Sequence, residues 1–541
     1  RDRRMRLVAA AGLSILNTKI NDDYDAISAH LPPSEWLGLN NERVCWYSHG
    51  PNAAFKLYEI MMIERNPVEK ILLRTGSSIY RAIEIPAVKK IEKIFGKDNV
   101  LRQLEDCYPY AFDVIEQGDN VSIPDVVVFP ENKAQIQEIV KFADENNLAI
   151  IPRGAGTNQV GSCIPEKNGI VIHFSKMDKI LEIDEANLNC TVQTGAIIGN
   201  IQSEVEKKGL FFPPDPSSLA VSTIGGAIAQ SASGPRHFKY GGTRDYIIDL
   251  EIITATGEII HTSSKTPKNV AGYNLTQLFV GSEGTLGIIT EATLKLIPKP
   301  DVQRVMLAFF DSLEDSANAV SSIIKHCLRP STIDLMDEKT IETIEKFYPT
   351  GILRLAQACL IIEVDGTELD VQDQTKKIIA VCNDHKACEI KFAQNKDESD
   401  KIWFARRQAF SSVAKLNFDI VTEDIVVPPS RLVDMVKKIQ EISKKYGLVI
   451  TIMGHSGDGN LHPNFSLDLR DEDQKNRYKL AEKEMFDYVI ELGGTIAGEH
   501  GIGSAKKKYI GMVNSELNLQ FMKKIKEVFD PKNIFNPEKI L

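Results

Sequence analysis

The chain has 541 residues, too many for a single hydrophobic core, so two or three domains are expected. Hydrophobic residues make up 43% and charged residues 26%, an ordinary globular balance, and the net charge of −10 argues against a nucleic-acid partner, which would need a basic face. No apolar run approaches the roughly 20 residues that cross a bilayer. The eight cysteines contain no CxxC, which excludes a ferredoxin-type iron–sulfur motif and a zinc ribbon and suits a reducing, cytoplasmic setting.

Residues 1–78 form an N-terminal extension with no interpretable motif. It opens with a basic stretch, Arg1-Asp-Arg-Arg-Met-Arg6, and an apolar run over 7–16. No small-residue cleavage site follows, so an amphipathic helix is expected rather than a signal peptide. A helical pattern over 88–95 then leads into a region, 79–300, where short β-branched runs alternate with turns. Strands are expected over 126–129, 149–151, 169–174, 190–193, 247–256, 258–262 and 287–297, with helices over 134–146 and 198–208 between them. Pro298 and Pro300 break both helix and strand and mark a seam. Beyond it, 301–490 reads as a second mixed region, with a strand over 304–310 and helices over 316–326 and 429–446. Residues 491–541 are mainly helical and end in turns at Asp530-Pro531 and Asn536-Pro537. The fold class is α+β.

Two segments are built to let backbone approach a phosphate. In Pro152-Arg-Gly-Ala-Gly-Thr-Asn158, directly after a strand, the two glycines can expose successive amide N–H groups to an anion. It is not the GxGxxG fingerprint, because Gln159 stands where a third glycine is required. The second segment runs through Pro213-Pro-Asp-Pro-Ser-Ser218, Ser222-Thr-Ile-Gly-Gly226, Ser231-Ala-Ser-Gly-Pro-Arg236 and Lys239-Tyr-Gly-Gly242. So many small residues make a poor core and a good lining for a flat ring and a pyrophosphate. Gly281-Ser-Glu-Gly-Thr-Leu-Gly287 adds a third such turn.

In that order, these motifs resemble the FAD-binding half of the vanillyl-alcohol oxidase/para-cresol methylhydroxylase superfamily, in its D-lactate dehydrogenase and glycolate oxidase large-subunit branch. The resemblance covers residues 85–541. It implies a two-subdomain FAD-binding domain, an α+β cap over the isoalloxazine, and a C-terminal segment that completes the active site and returns to the FAD domain. It also implies that Arg153, Gly154, Ala155, Gly156 and Thr157 hold the pyrophosphate. Pro214, Asp215, Ser218, Ser222, Gly225, Gly226, Ser231, Tyr240 and Ile289 fall where the family lines the cofactor. Ser231-Ala-Ser-Gly234 departs from the family's asparagine-alanine-glycine-glycine. No histidine lies in the first glycine turn, so FAD is expected to bind non-covalently.

The second half carries Gly454-His-Ser-Gly-Asp-Gly-Asn-Leu-His462 and Gly498-Glu-His-Gly-Ile-Gly503. Two imidazoles and a carboxylate form a sensible ligand set for a divalent ion (Zn, Fe or Mn) with open positions left over. The bland reading, histidines that satisfy buried polar groups, suits one lone histidine better than three in two glycine-flanked clusters. Both stretches match the branch's active-site motifs. The resemblance implies His455, His462 and Glu499 as metal ligands and His500 as general base.

Trp403-Phe-Ala-Arg-Arg-Gln408 matches the family's Trp-x-x-Arg, so Arg406 is the candidate grip on a substrate carboxylate, with Asn464 helping to orient it. Relatives that oxidise D-2-hydroxyglutarate carry a threonine four residues after that arginine and a lysine further on. Phe410 and Thr422 stand here instead, which favours a short apolar substrate side chain. The expected activity is FAD-dependent oxidation of a small D-2-hydroxy acid, D-lactate first and glycolate next. Electrons would pass to an external acceptor, an electron-transfer flavoprotein or a quinone, and a homo-oligomer stays open. Three competing readings share the fold: an alkyl-glycerone-phosphate synthase, an aldonolactone-type oxidase, and a FAD-binding electron-relay subunit without its own substrate. All three are disfavoured by the two histidine motifs.

Overall fold

The computed structural model describes residues 85–114 and 121–541. The expectations for the N-terminal extension and its apolar run lie outside the described residues.

The strands Val126–Val128, Ile150–Arg153 and Ile170–His173 are each led by β-branched residues, a composition that suits strands buried on both faces. The two outer runs pair in parallel with Ile170–His173, and Val100–Leu101 closes the other edge antiparallel. Between the parallel strands runs the helix Lys133–Asn146, started by the Asn132 side chain accepting the Gln135 N–H and ended by Asn147 in the left-handed region. Its Ile136, Ile139, Val140 and Ala143 recur at helical spacing and bury against the sheet.

A second sheet follows, antiparallel throughout, in the order Ile180–Asp184, Asn189–Gln193, Ile288–Lys295, Ile247–Ile253, Ile259–His261. The helices Ile198–Glu206 and Ile224–Gln230 pack on it. The expected strand over 247–256 stops at Ile253, because residues 254–257 close a turn with the Gly257 N–H on the Thr254 carbonyl.

At the proline seam Ile297–Pro298 pairs only with Leu210–Phe211, and from Val302 the chain enters a different sheet. This third sheet is also antiparallel, ordered Ala387–Phe392, Val302–Phe310, Ala358–Gly366, Thr332–Asp337, Val449–Gly454, Asn460–Leu467, Asp419–Thr422. Period-two alternation divides its side chains between two cores. Met306, Ala308 and Phe310 face the large core under the helices Leu313–Lys325, Leu432–Tyr446 and Glu472–Glu491. Val305, Leu307 and Phe309 face a smaller one against Glu338–Phe347 and Lys396–Arg407. Ser312 caps the first of these helices, which therefore starts three residues before the expected 316. Pro429 opens only a 3-10 turn, so the later helix starts at Leu432.

After the third sheet the chain comes back. The helix Glu516–Phe529 sets Phe529 edge-on to Phe279, ring centroids 5.2 Å apart. The Ile150 N–H then donates to the Ile534 carbonyl, and the Asn536 N–H to the Ile150 carbonyl. No helix among the described residues is long and apolar enough to cross a membrane.

Candidate active site

A cleft of about 230 Å³ opens between the glycine-rich half and the third sheet. Gly154, Ala155, Gly156, Thr157, Ser218, Ser222 and Gly226 form one wall; Arg406, Arg407, Phe410, Thr422, Met453, His462, Glu499 and His500 form the other.

The first wall is made of backbone held at contact distance. A Cβ on Gly154 would stand 2.3 Å from the Thr223 Oγ1. That oxygen is already engaged in accepting the Gly226 N–H that begins Ile224–Gln230. Gly156 has φ +71°, and a Cβ there would meet the Arg153 guanidinium at 2.2 Å. The bare turn leaves its outer face open to a flat, phosphate-bearing cofactor.

Several residues expected at the cofactor lie behind this wall. The Arg153 side chain is 3% exposed and donates to the Phe112 carbonyl at 2.7 Å and to the carbonyl and sulfur of Cys163. It braces the turn from the inside. Pro214 accepts from Gln202, and Asp215 holds the Arg236 N–H. Gly225 is small because a Cβ would strike Thr194 at 2.6 Å. Ser231 ends its helix at φ 51°, the Tyr240 hydroxyl donates to Asp365, and the Ile289 side chain belongs to the second sheet's core.

The second wall is built from buried charge. His455 ends Val449–Gly454, and His462 lies on the paired strand Asn460–Leu467. Their Nε2 atoms lie 3.2 and 3.4 Å from Oε1 of Glu499. The two rings are nearly perpendicular, and ligand atoms of His455, His462 and Glu499 all fall within 4.8 Å of one another. That is the spacing a single cation needs. A second triple, Asp424, His462 and His500, is equally close. Asp424 makes a poor ligand there: its Oδ2 accepts the N–H groups of Gly498, Glu499 and His500, each at 2.8 Å, and its Oδ1 accepts from Asn460. His500 stacks on His462 with centroids 5.0 Å apart and its Nε2 4.0 Å from Glu499.

Burial would raise the Asp424 pKa, but His500, His462 and Lys506 hold it well below the carboxylate range. His455 is pulled the other way: burial disfavours its charge, and Asp334 and Glu499 overcome that and lift it to about 10. For His500 burial prevails over the pull of Asp424, leaving its pKa below the ordinary value.

Arg406 closes Lys396–Arg407 with its Nε 2.5 Å from Asp334 and its Nη1 3.7 Å from the Met453 sulfur. Asn464 is fully buried, accepts from the Thr422 hydroxyl at 2.7 Å and donates to the His462 carbonyl at 2.8 Å, so it lies directly under Thr422, which lines the cleft.

Three carboxylates that sequence reasoning left without a role organise the site: Asp334, Asp424 and Glu283. Glu283 accepts from Ile502 and Gly503 and from the Ser162 hydroxyl, tying the 498–503 loop to the glycine-rich half.

Residues 124–263 match the FAD binding domain model, and residues 299–540 match that of the FAD linked oxidases, C-terminal domain. The chain shares 44% identity over 431 residues with glycolate oxidase subunit GlcD of Bacillus subtilis, spanning 80% of this chain and 91% of the relative. It belongs to the FAD-linked oxidase family. Another family member, the mitochondrial D-lactate dehydrogenase [cytochrome] of Arabidopsis thaliana, is 30% identical over 518 residues, 95% of this chain and 89% of that protein. Among solved structures, p-cresol methylhydroxylase with substrate bound superposes with a TM-score of 0.69 at 17% identity, over 84% of this chain and 96% of that one. Alkyldihydroxyacetonephosphate synthase does so at 0.66 and 22%, over 84% of each. At those identities the two share the family's fold alone. The C-terminal model starts at the proline seam, and the FAD-binding model includes the bare glycine turn.

Proposed function

We propose that this protein oxidises a small D-2-hydroxy acid, D-lactate or glycolate, to the 2-oxo acid. The observation that carries the reading is the cleft itself. One wall has the bare backbone that FAD needs, and the facing wall holds a buried arginine beside three imidazoles and a carboxylate. The relatives named as a glycolate oxidase subunit and a D-lactate dehydrogenase support it.

The donor set fits a divalent cation. The carboxylates of Asp334, Asp424 and Glu499 gather around imidazoles that ligate when neutral, and two of those imidazoles turn Nε2 to the same Glu499 oxygen. His455, His462 and Glu499 would hold Zn, Fe or Mn, which when bound lowers the pKa of a hydroxyl on it. FAD when bound accepts the hydride from the substrate Cα.

The chain's own groups do the rest. Arg406 grips the carboxylate through its two Nη atoms, since Nε is committed to Asp334. His500 receives the hydroxyl proton at the Nε2 that faces Glu499. As the proton leaves for His500 and the hydride leaves from Cα, the C–O bond becomes a carbonyl. Phe410 and Met453 close the chamber beside Arg406 with apolar surface, which suits a methyl group or hydrogen on Cα. The electrons then pass to an external acceptor, an electron-transfer flavoprotein or a quinone.

The test is anaerobic. Purified enzyme is mixed with D- and L-2-hydroxy acids of increasing length, and flavin bleaching is followed. Bleaching by D-lactate and glycolate is expected, with little by the L-enantiomer or by D-2-hydroxyglutarate. Bleaching by no 2-hydroxy acid would sink the assignment.

A further inference from the structure

We propose that Asp334 is a positioning residue that couples the substrate anchor to the metal ligands, one buried carboxylate fixing Arg406 with one oxygen and His455 with the other. This inference rests on the function proposed above and assigns the part of the site that holds those two side chains in register.

Asp334 stands inside the strand Thr332–Asp337, in the middle of the third sheet. Its neighbours Ile333 and Leu335 face the large core, while Asp334 and Met336 face the smaller core from which Lys396–Arg407 rises towards the cleft. It has no exposed surface. A carboxylate taken out of water at such a position costs several kcal/mol unless its partners offset it, and an aliphatic residue would fit the strand at no such cost. The nearby Asp337 has an evident structural role, because it caps Glu338–Phe347 and accepts the Ile452 N–H. Asp334 has neither kind of contact. Its Oδ1 lies 2.7 Å from the His455 Nδ1 and its Oδ2 lies 2.5 Å from the Arg406 Nε.

Each contact sets something the proposed chemistry needs. A carboxylate on Nδ1 fixes the proton there, so the lone pair of His455 sits on Nε2, the atom that faces Glu499 at 3.2 Å. A carboxylate beside Nε holds the guanidinium so that its Nη side, in contact only with the weakly accepting Met453 sulfur, is presented to an incoming carboxylate. Because one side chain makes both contacts, the distance between anchor and metal site is set by the span of a single carboxyl group. Asp424 shows the contrast: it commits one oxygen to three backbone amides and stands 3.6 Å from the His462 Nδ1, so it shapes a loop.

The two contacts can be broken separately. In Asp334→Asn the amide oxygen still accepts from the His455 Nδ1–H, but the group 2.5 Å from the Arg406 Nε loses its charge and becomes a donor itself. Asp334→Ala removes both. The experiment titrates Zn²⁺ into metal-stripped, FAD-loaded parent and variants, and separately measures KM and kcat for D-lactate with the reconstituted enzymes; bound FAD reports folding. Asp334→Ala is expected to weaken Zn²⁺ by about 10- to 100-fold, the usual worth of a carboxylate behind a ligating histidine. Asp334→Asn is expected to keep Zn²⁺ near the parent affinity while KM rises about 10-fold or more, the cost of a donor left facing a donor. Zn²⁺ affinity unchanged in Asp334→Ala, or KM unchanged in Asp334→Asn, overturns the coupling. A parent that binds no Zn²⁺ and is bleached by no hydroxy acid overturns the site reading and this inference together.

Discussion

The two walls of the cleft reach a defined surface by opposite means. On the glycine-rich side, residue identity is dictated by what must be absent: Gly154 and Gly156 leave no room for a Cβ against Thr223 and Arg153. On the other side it is dictated by charge that is present and buried, in Glu499, Asp334 and Asp424 facing Arg406 and three histidines. The first wall should therefore govern whether cofactor stays, and the second what happens to substrate once it is there.

Removing the proposed cation tests that division most severely. Chelation, or Glu499→Gln, should abolish flavin reduction by substrate while the FAD absorbance stays with the protein. Elemental analysis of active enzyme without metal would refute it. Next comes His500→Ala, expected to lose about 10² to 10⁴ in the rate of flavin reduction, the usual worth of a positioned base, with KM little changed. If this variant fails because FAD has left, the second wall also holds the cofactor and the comparison breaks.

A sharper probe of the first wall is Gly154→Ala, which forces a methyl group against the Thr223 oxygen and should cost about 1–3 kcal/mol in FAD affinity. Thr223→Ala relieves that clash but removes a helix cap worth about 1 kcal/mol, so the double variant should bind FAD better than the sum of the two losses. Strict additivity, measured by FAD titration of the apoprotein, would show that the contact is not what excludes the methyl.

The smallest effect separates the walls by pH. His173, in the parallel sheet, is kept neutral by burial and by Arg153, its pKa falling to about 3. The folded state resists a proton that the unfolded chain accepts below pH about 6.5. Stability should therefore be greatest above that value and decline as pH falls towards 3, by at most about 1.4 kcal/mol per unit. Thermal melts at pH 7 and pH 5 should show a smaller acid loss for His173→Gln; an identical loss would remove His173 from the account.

What the sequence made legible, and what it hid, follows from range. Glycine turns and histidine clusters are local, so the two walls and the seam between them could be placed from neighbouring residues. Asp334 lies on a plain strand and Asp424 in the short link between two, 121 residues from His455 in one case and 74 from the Gly498 amide in the other, and no periodicity reveals such partners. Arg153 shows the same limit: an arginine beside a glycine turn looks like an anion clamp, and only the fold reveals that its side chain also donates to Phe112 and Cys163. Asn464 shares a strand face with His462, but the register that pairs it with Thr422 lays a hydroxyl on its amide oxygen. That pairing is set by the third sheet's topology and has no trace in the spacing.

The return of the chain to its first sheet also bears on how the protein is made. Asn536 donates to the carbonyls of Ser162 and Glu283, residues that leave the ribosome 374 and 253 positions earlier. Until residues 534–536 arrive, the strand at Ile150 lacks an edge partner and the Ser162 and Glu283 carbonyls lack their donor. The cofactor wall cannot be finished during translation, however early its own residues emerge. A nascent chain stalled before that point should hold no FAD, even with the whole of residues 124–263 already free to fold.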